Sequence, residues 1–170
     1  INPRCAAALF LLGRTDAALA VRPAWEEALL ARALAHMGIA SGLEDLLREG
    51  EGGEEADPSG EIFDPTAEDD RIAQQAVEAA LALDPASPRA LSVQAAFRYL
   101  AGDEAGFDGS CARAWEADPV CGDMFYWVAR RVEDPRDMRP AREWARRCVE
   151  RDGRHLGALL LLGRACLNEG

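Results

Sequence analysis

The sequence predicts an all-α protein built from repeated pairs of helices. The first observation behind this is internal repetition, because Asp84, Asp118 and Asp152 recur 34 residues apart. The second is composition: alanine is abundant and there are only 9 prolines, which favours helices over strands and loops. With 170 residues, of which 49% are hydrophobic, the chain is long enough for one sizeable core or a short solenoid.

The residues that flank the three aspartates repeat as well. A large apolar residue lies seven positions after each aspartate, and another apolar residue comes directly before it. These pairs are Ala90-Leu91, Met124-Phe125 and Ala158-Leu159. A spacing that is kept twice, with matching flanks, indicates repeated structural units rather than chance.

The spacing has a physical reason. The first helix of a pair needs a large residue, and a small one three to four positions later, so that the second helix can pack closely against it. Asp84-Pro85 and Asp118-Pro119 should end the second helix, because proline disfavours the α conformation of the residue before it. Asp152-Gly153 is expected to do so by another route, with the glycine as C-cap.

The pattern resembles the tetratricopeptide repeat (TPR), which places a large residue, then Leu-Gly, then Tyr on its first helix, and Ala, Phe and a closing Pro on its second. The last unit fits best, with Leu159-x2-Leu162-Gly163-x2-Cys166. The preceding unit has Phe125-x2-Val128-Ala129-x2-Val132, then Ala141-x3-Ala145 and Cys148. The unit before that has Leu91, Ala95, a Gly102-Asp103 turn, Ala114 and Pro119, and departs from the pattern at Gln94, Arg98 and Phe107.

The resemblance implies a right-handed α-solenoid of antiparallel helix pairs, which is a TPR-like superhelix. We expect one domain over residues 1–170, composed of a short capping pair (3–22), a repeat (23–84) with an acidic insertion at about 39–66, repeats at 85–118 and 119–152, and the first helix of a truncated repeat (153–170). Within this domain, we expect helices at about 24–38 and 67–83, an inter-helix turn at 13–19, and a short helix near 42–49 after the capping box Ser41-Gly42-Leu43-Glu44.

The net charge of −11 is confined to one segment. Residues 44–70 contain twelve acidic residues and one arginine, whereas the rest of the chain is nearly neutral. This distribution argues against nucleic acid as a partner. A membrane span is also not expected, because the longest apolar run, at 5–12, is far shorter than the roughly 20 residues that a helix needs. All 19 basic residues are arginine, which is typical of a GC-rich, bacterial genome.

The acidic segment allows several readings. Its glycines and prolines favour a solvated loop over 50–64. A site for a basic partner is an alternative, and a calcium loop is less favoured because no Asp-x-Asp-x-Asp-Gly pattern occurs. The apolar pair Ile62-Phe63 would pin the loop onto the helices or into the concave groove of the solenoid.

The sequence contains no motif that indicates catalysis, a cofactor or a metal. It has no His-Glu-x-x-His, P-loop, Gly-x-Gly-x-x-Gly or Gly-x-Ser-x-Gly pattern. His36 is expected in a core or half-buried position, and His155 is expected to be exposed. The five cysteines, an odd number without Cys-x-x-Cys spacing, are expected to be packing residues, which favours a reducing compartment such as the cytoplasm.

The resemblance also implies where a partner would bind, since the inner wall of a TPR superhelix is lined by the first helix of each pair. The positions that we single out are Arg89, Val93, Tyr99, Tyr126, Trp127, Arg130 and Arg164. The same wall includes Asp123, Glu133, Leu160 and Leu161. Tyr126, Trp127 and Arg130 are of the types enriched at binding hot spots, although Trp127 could instead pack against the neighbouring repeat. The family's carboxylate clamp is not expected, because the chain has no lysine.

The leading functional hypothesis is a scaffold that binds a protein or peptide and has no catalytic activity of its own. The alternative is a non-catalytic accessory region of a larger enzyme, such as a peptidase or transferase, with further repeats or a domain after residue 170. A third hypothesis is self-regulation, in which the acidic loop covers the groove and competes for Arg89, Arg130 and Arg164.

Overall fold

The computed structural model describes residues 14–39, 66–134 and 136–168. These residues form helices joined by turns, with no β-strand among them and a single isolated bridge between Asp134 and Asp137. The helices are α1 (Thr15–Val21), α2 (Glu26–His36), α3 (Ala67–Leu83), α4 (Pro88–Leu100), α5 (Glu104–Ala117), α6 (Asp123–Arg131), α7 (Arg139–Arg151) and α8 (Leu156–Asn168). The predicted all-α class is therefore confirmed.

Local chemistry sets the helix starts. Thr66 and Asp69 form a reciprocal capping box at the start of α3. The Ser87 hydroxyl accepts a hydrogen bond from the backbone of Ala90 at the start of α4. Between α4 and α5, Gly102 has a φ of 76°, which glycine adopts without steric cost, and Asp103 then caps α5. The predicted turn at this position is thus observed.

The three repeated aspartates end α3, α5 and α7 in the same way. Each has an extended backbone, with φ, ψ of −142°, 100° at Asp84 and Asp118 and −122°, 91° at Asp152. Each carboxylate accepts a hydrogen bond from the backbone N–H two residues later, at 3.0, 3.2 and 3.0 Å. The expectation that Gly153 ends α7 as a left-handed C-cap is wrong, since Asp152 makes the same turn as the other two aspartates. Among the glycines that the structure describes, positive φ occurs at Gly38 and Gly102, not at Gly153.

The helices pack mainly on their neighbours in sequence. α2 packs on α3, α4 on α5, and α6 on α7, while α3 also meets α4 and α7 meets α8. Contacts also run from α2 to α4 and from α4 to α6, so that alternate helices touch. A side-chain hydrogen bond from Ser87 to Glu26 joins the starts of α4 and α2.

Four aromatic side chains fill the space where α4, α5, α6 and α7 meet. Trp144 lies at their centre, with ring centroids 4.8 Å from Tyr99, 6.1 Å from Phe107 and 5.9 Å from Phe125. Phe107 departs from the TPR pattern, which has an alanine there. The aromatic side chain fills volume between the helices that an alanine would leave empty.

The other expected elements lie partly outside the described residues. The helix expected at 24–38 spans Glu26–His36, and the one expected at 67–83 is Ala67–Leu83. Helix α1 covers the second half of the proposed capping pair, and Thr15 to Leu19, expected as a turn, lies in this helix. The first half of that pair, the short helix near 42–49, the acidic loop and Ile62-Phe63 lie outside the described residues.

Candidate functional site

Helix α6 contributes three of the seven predicted binding residues, and its surface is divided between core and solvent. Met124, Val128 and Ala129 are buried and hold the helix against its neighbours. Tyr126 and Trp127 are half-buried on another side, and their rings contact each other with centroids 5.0 Å apart. Trp127 also packs against the core cluster built mainly from α2, α3 and α4, so part of its side chain is buried there and part is exposed.

Tyr126 is wedged against the start of α8. Its ring lies 4.6 Å from the His155 ring, between centroids. On the α8 side, a Cβ added to Gly157 would lie only 2.7–2.9 Å from Cζ, the hydroxyl oxygen and Cε2 of the tyrosine. The absence of a side chain at Gly157 therefore lets the tyrosine approach the helix backbone and fixes the position of its ring.

His155 is held by two further contacts. Its Nε2 lies 3.2 Å from the Asp123 carboxylate, and its Nδ1 accepts a hydrogen bond of 3.0 Å from the backbone N–H of Ala158. A neutral ring protonated on Nε2 satisfies both contacts. The expectation that His155 is exposed is wrong: its side chain is only 14% exposed, because it caps α8 and packs at a tilt against the Tyr126 ring.

At the other end of α6, Glu133 pairs with two arginines. Its carboxylate lies 3.4 Å from Arg130, one helical turn earlier, and 2.6 Å from Arg164 on α8. The side chains of Arg130 and Glu133 are 12% and 17% exposed, whereas Arg164 is 49% exposed. Together, the pairs Asp123–His155 and Glu133–Arg164 tie α6 to α8 at both ends, and the Tyr126–Trp127 pair lies between them.

The other three predicted residues lie on α4 and differ in exposure. Arg89 is exposed near the helix start. Val93 is fully buried among core residues of α2, α3 and α6, so a partner could not touch it in this conformation. Tyr99 is half-buried against Trp144 and Phe107. The structure therefore brings four of the seven residues together, namely Tyr126, Trp127, Arg130 and Arg164, and we call these, with Glu133, the α6–α8 face.

Asp123 and Glu133 lie on the wall where the sequence placed them, but the pair of Asp123 with His155 and the pairs of Glu133 with Arg130 and Arg164 were not predicted. His155 was not assigned to the site. The i, i+3 spacing of Arg130 and Glu133 was a usable signal for an ion pair. The position of His155 directly before a helix start was a signal for a capping role. The pairing of Glu133 with Arg164 had no local signal, because it joins different helices.

Most of the cysteines in the described ranges, and His36, pack within the fold. Burial raises the pKa of Cys111 and of Cys148 to about 12, which keeps both thiols protonated and unreactive. Cys121 is also buried, but Cys166 is exposed, contrary to the expectation that it packs in the core. His36 is half-buried as expected, and its Nδ1 lies 2.8 Å from Asp69. Among the residues that the structure describes, no group of three or more His, Cys, Asp or Glu is placed to hold a metal ion.

A small cleft lies between α3 and α4. Its volume is about 230 Å³, below the range of most ligand pockets. Gln94 and Arg98, two of the positions that depart from the TPR pattern, line it. Gln94 accepts a hydrogen bond from Ser110, and Arg98 pairs with Asp103, so both polar groups already have partners within the chain.

Comparison with protein-family models, curated proteins and solved structures finds no match for this chain. The resemblance to the TPR therefore rests on the spacing of residues within the chain itself. None of the helices in the described ranges is long and apolar enough to cross a bilayer.

Proposed function

We propose that this protein is a scaffold that binds a protein or peptide and has no catalytic activity of its own. We further propose that its helices stack as a right-handed α-solenoid of antiparallel pairs. The packing of α2 on α3, α4 on α5 and α6 on α7 supports this arrangement, and so do the contacts from α2 to α4 and from α4 to α6. The connections from α4 to α5 and from α6 to α7 are short, which favours antiparallel packing of these neighbours.

The observation that carries the proposal is the α6–α8 face. Tyrosine, tryptophan and arginine are the residue types that contribute most at binding hot spots. Here Tyr126 and Trp127 contact each other and are buttressed by His155, Gly157 and the core. Because these side chains are held before any ligand arrives, little conformational entropy would be lost on binding.

The charges on this face indicate the chemistry of the ligand. Arg130 and Arg164 share one carboxylate, that of Glu133, so the three side chains together carry one positive charge. Arg164 is half-exposed, and a ligand carboxylate could approach it from solvent. The favoured ligand is therefore a short peptide segment that places an acidic group beside an apolar or aromatic residue, for Arg164 and the Tyr126–Trp127 pair respectively.

The proposal is tested by selecting peptides from a random displayed library on the full chain and then measuring their affinity for variants. Trp127→Ala and Arg164→Ala should each weaken the selected peptides at least about fivefold, as hot-spot residues do. Arg146→Ala is the matched control, because Arg146 is an exposed arginine on α7 whose partner is Glu143.

The affinity of the control should stay within about twofold of that of the unmodified chain. Far-ultraviolet circular dichroism would show that each variant is folded. If the selected peptides bind Trp127→Ala and Arg164→Ala as tightly as the unmodified chain, the α6–α8 face is not the binding site.

A further inference from the structure

Helix α8 is apolar on two opposite sides. Ala158, Leu161 and Ala165 are buried, and they join a core cluster with residues of α7. On the other side, leucines at positions 156, 159, 160 and 167 are 69%, 42%, 60% and 83% exposed. With Gly163 between them, these leucines form a continuous stripe at helical spacing, which we call the α8 leucine face. A helix that is apolar on all sides is usually buried on all sides.

The 34-residue repeat identifies the residues of the earlier units that correspond to Leu159 and Gly163. Leu159 corresponds to Leu91 and Phe125, and Gly163 corresponds to Ala95 and Ala129. Leu91, Ala95 and Ala129 are fully buried, and Phe125 is half-buried in the aromatic cluster. At Gly163, by contrast, an added Cβ would meet nothing within 4 Å.

In each earlier unit, the next helix in the chain supplies the cover. α3 covers α2, α5 covers α4 and α7 covers α6. The covering residues lie at spacing i, i+4, i+7, and most of them are small. They are Ala73, Val77 and Ala80 on α3, Phe107, Cys111 and Ala114 on α5, and Ala141, Ala145 and Cys148 on α7. In each pair, the first helix therefore presents a large residue and a small one, and the second helix packs on them with a stripe of mostly small side chains.

Charge gives a second criterion for the occupant. The only charged residue in the range of α8 is Arg164, and it pairs with Glu133. The α8 leucine face itself consists of leucine and glycine and carries no charge. An occupant would therefore have to present an uncharged stripe, because a buried charge without a partner is costly.

We propose that the α8 leucine face is a docking surface for one amphipathic helix that presents small side chains at i, i+4 and i+7. This helix packs on α8 as α5 packs on α4 and α7 packs on α6. The surface is distinct from the α6–α8 face, and its existence does not depend on the proposed ligand there.

The test uses α7 as the probe, because its Ala141, Ala145 and Cys148 stripe is the nearest covering sequence. Residue 170 is equivalent to residue 136, so a second copy of residues 137–152 attached after Gly170 continues the register of the repeat. Covalent attachment gives the probe a high effective concentration. The extended chain should melt at least about 4 °C above a control in which the attached copy carries Ala141→Gln and Ala145→Gln.

A substitution in α8 makes the test specific to this face. Gly163→Gln has room in the chain as it stands, and it replaces a poor helix former, so it should not lower the melting temperature of the unextended chain. In the extended chain, the same substitution should abolish the increase in melting temperature that the attached helix produces. Equal melting temperatures for the extended chain and its Ala→Gln control would overturn the proposal.

The other occupant that could cover the α8 leucine face is a second copy of this chain. Sedimentation velocity of the unmodified chain tests for it. We expect a monomer at micromolar concentration. A dimer that dissociates in Leu160→Gln would show that α8 pairs with another α8, and would overturn the proposal.

Discussion

Glu133 and Arg164 lie 31 residues apart in sequence, yet their charged groups are 2.6 Å apart in the structure. The same carboxylate reaches Arg130 within its own segment at 3.4 Å. Glu133 therefore does two things: it neutralises a mostly buried arginine and fastens α8 to the end of α6. The geometry of the α6–α8 face depends on this one carboxylate.

Replacing Glu133 should destabilise the protein more than replacing Arg164. Glu133→Gln removes the carboxylate that lies 3.4 Å from the mostly buried guanidinium of Arg130, at a cost of about 2 kcal/mol. Arg164→Ala removes a half-exposed partner and keeps the Glu133–Arg130 pair, at a cost below about 1 kcal/mol. Urea denaturation measures both free energies of unfolding. Glu143→Gln, at an exposed pair on α7, is the control and should cost less than about 0.5 kcal/mol. A larger loss in free energy of unfolding for Arg164→Ala than for Glu133→Gln would contradict this account of the pair.

Two glycines in α8 should respond oppositely to the same substitution. At Gly157, an added methyl group would press into the Tyr126 ring, which His155 and Trp127 prevent from moving freely. Gly157→Ala should therefore destabilise the protein by about 1–2 kcal/mol. At Gly163 the methyl group meets nothing within 4 Å, and Gly163→Ala should stabilise by up to about 1 kcal/mol through helix propensity.

Thermal denaturation of the two single variants measures this difference. The double variant Gly157→Ala with Tyr126→Ala provides the check on the cause. In the Tyr126→Ala background, the cost of Gly157→Ala should largely disappear. A cost that persists without the tyrosine ring would show that the strain lies elsewhere.

The fold was predictable where local signals agreed. Ala67–Leu83 begins after Thr66 and ends before Asp84-Pro85, and both ends follow from chemistry within a few residues. The 34-residue spacing identified the equivalent positions of α4, α6 and α8. The prediction for Asp152-Gly153 was wrong because glycine is a common C-cap. In the structure, the Asp152 side chain closes this turn, and Gly153 does not adopt a positive φ.

The structure places Tyr126, Trp127 and Arg130 on α6 and Arg164 on α8, and these four residues come from the positions that the resemblance to the TPR implies for the inner wall. The pairing of their side chains was not predictable from the sequence. Val93 belongs to the same series, but it lies where α4 meets α2, α3 and α6, and it is buried. The burial of His155 depends on the Tyr126 ring from another helix. Contacts of that kind require the packing of helices, which no local pattern contains.

The repeated aspartates should tolerate an amide but not a methyl group. At Asp118, Oδ1 accepts the hydrogen bond from the Val120 backbone, and asparagine keeps an oxygen at this position. Asp118→Ala should cost about 1 kcal/mol, the typical contribution of one hydrogen bond, and Asp118→Asn should cost much less. Chemical denaturation of both variants checks this, with Glu116→Ala, an exposed neighbour, as the control. If the Asn and Ala variants lose the same stability, the turn does not depend on the side-chain acceptor.

Asp69 should make stability depend on pH between about 4 and 2. The pKa of its carboxyl is lowered to about 2, first by the hydrogen bond from the Thr66 hydroxyl and then by the His36 ring. Because the folded pKa is below the unfolded value, the contribution of Asp69 is fully present above about pH 4. It is lost as the pH falls through 2. Asp69→Asn should therefore have a lower melting temperature at pH 6 and a shallower loss of stability between pH 4 and pH 2. Asp70→Asn, at the exposed neighbouring carboxylate, controls for the change in net charge. Its melting temperature should fall between pH 4 and pH 2 as steeply as that of the unmodified chain. An Asp69→Asn variant whose melting temperature follows that of the unmodified chain at every pH would show that these contacts do not stabilise the fold.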